Sequence, residues 1–332
     1  MGRLGVASLV VILLGLVLLP LLDSLFLIYL VGQILIFVLF ALAFNVVLGH
    51  AGLISFGHAA YFAIGAYACA ILLTRYELAL APSLAGAVVL AGAAALVIGF
   101  FCLRLSDIYF AMLTLAFGQL VWAIAFKWDD MTGGDTGLIG VQVPDFLATP
   151  TAFYYFDLGV VTVAVAVLWM IAHSAFGRAL VAIRENEQRA SFVGLNVGRM
   201  RLAAFVISGT FSGLAGALYA LFNRSVFVET AWWTQSAEVL IMAILGGVHS
   251  FFGPAIGAAT LILLDRFTTE YTEYWPTVLG AILLAVLFFF PTGLIGLVGR
   301  IGRRDDISDE ERDAGNNGAR QVFRRLLGHS KS

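Results

Sequence analysis

Charge is what this chain has least of, and lysine least of all. Of its 332 residues only 12% are charged, and Lys127 and Lys331 are the two lysines. That charge share is about half that of an ordinary soluble domain. The net charge of −2 says nothing about nucleic acid, and no nucleic-acid partner is expected. Cysteine is equally scarce. Cys69 and Cys102 lie in apolar runs and read as small core residues, not as a disulfide or a metal pair. His50 and His58 have no carboxylate or thiolate nearby, which makes a weak ligand set; neither a metal nor another cofactor is expected. No G-x-x-x-x-G-K-[ST], G-x-S-x-G or H-E-x-x-H occurs. The chain therefore has no ATPase motif of its own and is not read as an enzyme.

What is present is apolar. Hydrophobic residues make up 61% of the chain, and 35 glycines accompany them. A soluble domain of this length cannot hide so much apolar surface, whereas a bilayer with a hydrocarbon core about 30 Å thick supplies an apolar solvent. The runs are continuous and lack the alternation of a barrel strand, so strands are not expected. The fold class is all-α, a polytopic integral membrane protein. Ten spans are read, near 4–22, 25–48, 58–74, 80–101, 107–126, 153–173, 202–222, 235–248, 252–267 and 275–290. The eighth and ninth are short enough to be half-helices or tilted pieces. The first run is read as an uncleaved span. A signal peptide is the alternative, against which stand its length and its lack of an A-x-A site.

Basic residues should collect in cytoplasmic loops. Loop 174–201 carries Arg178, Arg184, Arg189, Arg199 and Arg201, and the tail opens with Arg300, Arg303 and Arg304. The opposite loops hold Asp23, Asp129, Asp130, Asp135, Asp145, Glu229, Glu270 and Glu273, with Arg75, Lys127 and Arg224 as their basic residues. Both termini are thus expected in the cytoplasm. The chain divides into a transmembrane domain, 1–299, and a polar tail, 300–332, whose Asp305–Gly318 stretch has a disordered composition.

Three polar stretches could carry function. Within loop 174–201, Arg178 to Val193 has no glycine or proline and mixes Ala179, Val181 and Ile183 with Arg184, Glu185, Asn186, Glu187 and Arg189. This predicts one surface helix that stops at Gly194. It is either a linker on the membrane surface or a docking element for a cytoplasmic partner. In Gly49–Tyr67, the glycines Gly49, Gly52, Gly57 and Gly65 sit with Ser55, His50 and His58, after Asn45 in the second span. Glycine at this density weakens a helix by about 1 kcal/mol per residue relative to alanine. Broken backbone at membrane depth is tolerated only where protein or a water-filled cavity covers it. A kink lining a pathway is therefore expected, with Asn45, Gly52, Ser55, Gly57 and His58 as candidates and close helix packing as the alternative. Glu238, a carboxylate near the start of the eighth span, joins the pathway candidates, since intramembrane ionisable groups are functional hypotheses by default. Adjacent Asp265 and Arg266 lie in the ninth. Loop 127–145 lacks the spacing of a calcium loop and is read as an ordered external loop.

These stretches resemble the LivM-type permease subunit of high-affinity branched-chain amino acid ABC transporters, over roughly residues 25–298. The resemblance is carried by ALAFNVVLGHAGLISFGHAAYFAIGAY (Ala41–Tyr67), FCLRLSDIYFAMLTLAFGQL (Phe101–Leu120), TGGDTGL (Thr132–Leu138), FGRALVAIRENEQRASFVGLNV (Phe176–Val197) and AAFVISGTFSGLAGALYA (Ala203–Ala220). LGG at Leu245–Gly247, FGPAIGA at Phe252–Ala258 and PTGLIGL at Pro291–Leu297 complete it. The resemblance implies a multi-pass protein of the bacterial inner membrane. It also implies a second permease subunit of related type, two cytoplasmic ATPase subunits and a periplasmic substrate-binding protein, with branched-chain or other hydrophobic amino acids as cargo. The coupling helix that docks on the ATPase maps to Arg184, Glu185, Asn186, Glu187, Gln188, Arg189 and Ala190, ending at Gly194. The segment departs from the general importer pattern E-A-A-x-x-x-G, because Gly194 falls one position late relative to Glu187 and no Leu-Pro follows. Urea and amide permeases carry similar motifs and form an alternative. An ion-coupled carrier is another, disfavoured by the few midplane carboxylates. The charge asymmetry makes a direct prediction. Reporter fusions at Gly134 and Gly194 report opposite sides of the membrane, and the same side for both would refute the topology.

Overall fold

Backbone amides in hydrocarbon have no water to bond, so apolar runs of bilayer length close their hydrogen bonds internally as helices. The structure, a computed structural model, describes residues 11, 13–22 and 24–271, together with 277, 280, 284 and 293–295. The tenth span, the tail and the start of the first run lie outside the described residues.

A helical stretch over 13–18 leads through the 3-10 turn Leu19–Leu22 into α1, Leu25–Asn45. Then come α2 (His58–Thr74), α3 (Leu80–Cys102), α4 (Asp107–Lys127) and α5 (Pro150–His173). Two short helices, α6 (Ala175–Glu185) and α7 (Glu187–Phe192), precede the long α8 (Val197–Asn223). The last are α9 (Trp233–Gly246) and α10 (Gly253–Tyr271). Among the described residues five helical segments are long and apolar enough to cross a membrane, namely Leu25–His50, Leu80–Cys102, Ile108–Lys127, Pro150–His173 and Val197–Asn223. α2, with 17 residues, is about 26 Å long, and the 14 residues of α9 give about 21 Å, less than a full crossing.

The bundle is organised around α8, which packs against α1, α2 and α3. In lipid, helices gain nothing from hiding apolar surface, so close approach and dispersion contact hold them together. Small residues make that approach possible. Ala87, Ala91 and Ala95, one turn apart on α3, are fully buried against Gly213 and Gly209 of α8. Gly65 of α2 lies on the backbone of Gly213, and Gly216 lies on the carbonyl of Phe62. Aromatic rings fill the space beside this seam, with Phe40 and Phe62 at 4.8 Å and Phe62 and Tyr219 at 5.3 Å between centroids. A second glycine seam joins α9 to α10, where Gly246 meets Gly253 and Gly257 meets Met242.

Two expectations need correction. Strands do occur. A two-residue antiparallel ladder, β1 (Leu138–Ile139) with β2 (Ser225–Val226), joins the two acidic-face loops. Arg224, in the left-handed region at φ 51°, accepts from the amides of Gly140 and Val141 through its carbonyl, at 3.0 and 2.9 Å, and its guanidinium donates to Ala148 O at 2.9 Å. The loop 127–145 is thereby ordered by pairing that no local alternation signals. The surface helix in 174–201 is also two helices. At Asn186 the backbone turns extended (φ −158°, ψ 102°), and its side chain accepts from Arg189 N at 2.8 Å, capping α7. An asparagine that can satisfy a new helix start competes with continuing the old one.

The α8 seam makes a prediction. A methyl group at Gly216 collides with backbone rather than with a side chain that could turn away. Gly216→Ala is expected to cost about 1–3 kcal/mol, the scale of overpacking. Gly159→Ala, which meets open space on α5, is expected to be neutral or to stabilise by up to about 1 kcal/mol, the advantage of alanine over glycine in a helix. Thermal denaturation of the purified proteins in detergent distinguishes them.

Candidate functional site

The site is the interruption between α1 and α2. After Asn45 the helix widens into a π turn, Val46–His50. Ala51 N and Leu53 N then return to Val46 O and Val47 O at 3.2 and 3.0 Å. From Gly52 to Gly57 the chain has no regular secondary structure, with Gly52 at φ +72°. This strap runs deep. It meets Thr114, about 10 Å along α4 from that helix's first residue, and the next residue, His58, meets Ser208, about 16 Å along α8 at 1.5 Å per residue.

The strap's polar groups are met by side-chain hydroxyls. Phe56 N donates to Thr114 Oγ1 at 3.2 Å, Gly57 N to Ser55 Oγ at 3.3 Å, and Ala59 N to Ser236 Oγ at 2.8 Å. His58 joins them. Ser208 Oγ donates its one proton to Ala43 O at 2.6 Å, so the 2.8 Å contact with His58 Nε2 requires that nitrogen to carry the hydrogen. His58 Nδ1 then accepts from Ser55 Oγ at 3.0 Å. The chain Gly57–Ser55–His58–Ser208–Ala43 ties the strap, α2, α8 and α1 together. Rings of Phe44, Tyr61 and Phe205 surround the imidazole edge-on at 4.8, 5.5 and 5.7 Å.

This changes the reading of several candidates. Ser55 and His58 are fully buried within the chain and are not among the residues of the groove on the strap. Their hydrogen bonds tie the interruption to α2, α8 and α1. Gly57 is a close-approach glycine, where a Cβ would stand 2.6 Å from Thr114 O. A large residue there would collide with the Thr114 backbone and disturb assembly as well as transport. Asn45 is buried and donates to Ser250 O at 3.4 Å, binding the end of α1 to the turn after α9. Glu238 is partly buried and accepts from Gln235 Nε2 at 3.3 Å. It is not among the residues of the groove on the strap.

That groove, about 720 Å³, is formed by Gly52, Ile54 and Phe56 with Ile108, Met112 and Leu240. Ile54 is 49% exposed in it. Its walls are almost wholly apolar, with backbone available at the strap.

The basic-face loop stands under the strap. Ser174, Asn186 and Asn196 cap α6, α7 and α8 in turn, and Gly194, at φ +93°, makes the stop that glycine favours. Glu185, Asn186, Glu187, Gln188 and Arg189 are exposed, with Glu187 also pairing Arg201 at 2.9 Å. Arg184 does something else. It is half-buried, its stem packs on Gly52, and Nη1 donates to Gly49 O and lies 3.3 Å from His249 Nδ1. Sequence reasoning grouped it with its exposed neighbours because nothing local shows which way a side chain points. Two other features escaped it. Phe192 and Val193, at the end of α7, are 89% and 80% exposed. Asp157, inside α5, is fully buried, and its carboxylate oxygens have no hydrogen-bond partner among the described residues. Its position inside an apolar run was the available signal.

Membrane-length helices packed through glycine, with an interrupted pair at their centre, define a polytopic, all-α membrane protein of the transporter class. The chain belongs to the family of branched-chain amino acid transport system permease components, whose model matches residues 26–289. It is 30% identical over 287 residues to the high-affinity branched-chain amino acid transport system permease protein LivM of Escherichia coli K12, covering 78% of this chain and 68% of that protein. A probable branched-chain amino acid transport permease protein LivM of Methanocaldococcus jannaschii is 26% identical over 216 residues, 58% of this chain and 61% of that one. The LivH permease protein of the Escherichia coli K12 system is 30% identical over 150 residues, 41% of this chain and 48% of that protein. No solved structure matches the chain significantly.

The lock makes a prediction. His58→Ala strips Ser55 and Ser208 of a partner and leaves a cavity among three rings. It is expected to destabilise the fold by about 2–4 kcal/mol. Uptake per correctly assembled transporter should stay near wild type, because the imidazole is enclosed by three rings and two hydroxyls. A stable His58→Ala protein without transport would return His58 to the pathway.

Proposed function

We propose that this chain is one of two related permease subunits of an ABC importer in the bacterial inner membrane, and that it carries branched-chain or similar hydrophobic amino acids. In this reading a periplasmic binding protein delivers the substrate to the acidic, ordered face formed by loop 127–145. Two ATPase subunits dock on the basic face, both termini lie in the cytoplasm, and residues 300–332 are a polar cytoplasmic tail to the 1–299 permease domain.

The observation that carries the reading is the strap. Non-helical backbone at membrane depth needs a cover of protein or a water-filled cavity, and within this chain the Gly52–Phe56 strap opens on a groove. A second permease subunit closing that groove would make a passage walled by Ile54, Phe56, Ile108 and Met112. Such walls suit an aliphatic side chain, and exposed strap backbone suits an amino acid's polar ends. The exposed tip of loop 174–201 supports the coupling role. Phe192 and Val193 are an apolar pair beside Glu185, Glu187 and Arg189. An apolar anchor ringed by charge has the anatomy of a protein interface.

Leucine uptake into vesicles holding the complete transporter tests the function. Uptake is expected to require ATP and the loaded binding protein, and to be competed by isoleucine and valine but not by urea. Competition by urea would move the chain to the urea and amide branch, and uptake driven by a proton gradient without ATP would overturn the importer. Within the same complex, Glu187→Ala with Arg189→Ala is expected to weaken ATPase co-purification by about tenfold or more, the scale of desolvated charged contacts. Full retention of ATPase by that variant would assign docking to another loop, the turn at His249 being the next candidate.

A further inference from the structure

Arg184 stands apart from the exposed charges around it. It is the point where three separate segments of the chain meet. Its guanidinium reaches up from α6 to the carbonyl of Gly49, at the end of the π turn. The same Nη1 lies 3.3 Å from Nδ1 of His249, in the turn between α9 and α10. Its methylene stem lies on Gly52, where a Cβ would stand 2.5 Å from Arg184 Cγ. The other two segments also touch each other, through Asn45 Nδ2 and Ser250 O at 3.4 Å and through the close approach of Gly49 to Val248 O. Gly49 and Gly52 thus make room for Arg184 and for the turn beneath the strap.

We propose that Arg184 is a positioning residue, the latch through which movement of the 174–201 loop reaches the strap. The inference rests on the coupling role proposed above for that loop. A π turn closes longer, weaker rings than an α-helix and recurs at functional sites in helices. Its free carbonyl end at Gly49 is held from outside by a charge-assisted hydrogen bond, roughly twice as strong as a neutral one. α6 is fixed to its neighbours by buried Leu180 and Ile183, so it shifts as a stiff body. A displacement at the exposed α7 tip is therefore handed to Gly49 and Gly52 by one side chain, and from Gly52 to the groove.

Two variants in the complete transporter test the latch. Arg184→Ala removes the guanidinium, and Gly52→Ala pushes the stem aside while keeping the charge. In both, ATPase co-purification is expected to remain at the wild-type level. Leucine uptake should fall by about tenfold or more, the scale of a lost coupling free energy, and ATP hydrolysis should no longer respond to the loaded binding protein. A merely structural role would lower hydrolysis and uptake together and would not separate them. Normal uptake by Arg184→Ala overturns the latch. Loss of ATPase from Arg184→Ala also overturns it, because Arg184 would then be a docking residue; that outcome leaves the docking reading itself intact. If Arg184→Ala does not accumulate, Gly52→Ala decides alone, and coupled transport by it overturns the proposal.

Discussion

A backbone that leaves the helix inside a bilayer must have its amides and carbonyls met by something other than water. The segment between Asn45 and His58 is built around that requirement. Four hydroxyls are spent on it: Thr114 from α4, Ser236 from α9, Ser208 from α8 and Ser55 from the strap itself. These side chains come from four places in the chain, so the interruption exists only when the helices that carry them are assembled. The bundle and its non-helical centre are therefore one cooperative object.

Close packing is what brings the hydroxyls within reach. Ser208 meets His58 because α8 lies against α2 with Gly213 on Gly65 and Phe62 on Gly216. Replacing any of these glycines adds bulk facing backbone, which cannot rotate away. The same seam sets Tyr61 and Phe205 around the imidazole. Rigidity here leaves movement to the edges of the structure: the π turn, the strap and the α6–α7 pair. Asp157 is the feature this scheme does not use. Its carboxyl is buried in α5 away from the strap groove.

The helices and their limits were legible in the sequence with small errors. α2 begins and ends where its apolar run does, and α3, α4 and α5 depart from theirs by at most three residues. The loops were legible in a different measure. The stop at Gly194 was legible because it acts locally, within one turn, whereas the caps at Ser174 and Asn196 were not read as helix starts. Asn186 was misread because an asparagine in a polar helix can either face water or start a new helix, and composition does not separate the two. β1 and β2 were missed because their pairing joins residues far apart in the chain, neither of which alternates.

The sequence by itself determined the solvent, the class and most of the helix ends, because those follow from free energies summed along contiguous residues. It also marked Gly49–His58 as an interruption, since glycine and hydroxyl residues at that density cannot continue an apolar helix unaided. What each residue does within the interruption was decided only by the tertiary structure. His58 and Ser55 became a buried lock, Gly57 and Gly49 became close-approach points, and Arg184 turned from the surface to the strap. Those roles depend on which atoms of distant segments come within 3 Å of one another, a quantity that packing fixes and that local sequence does not contain.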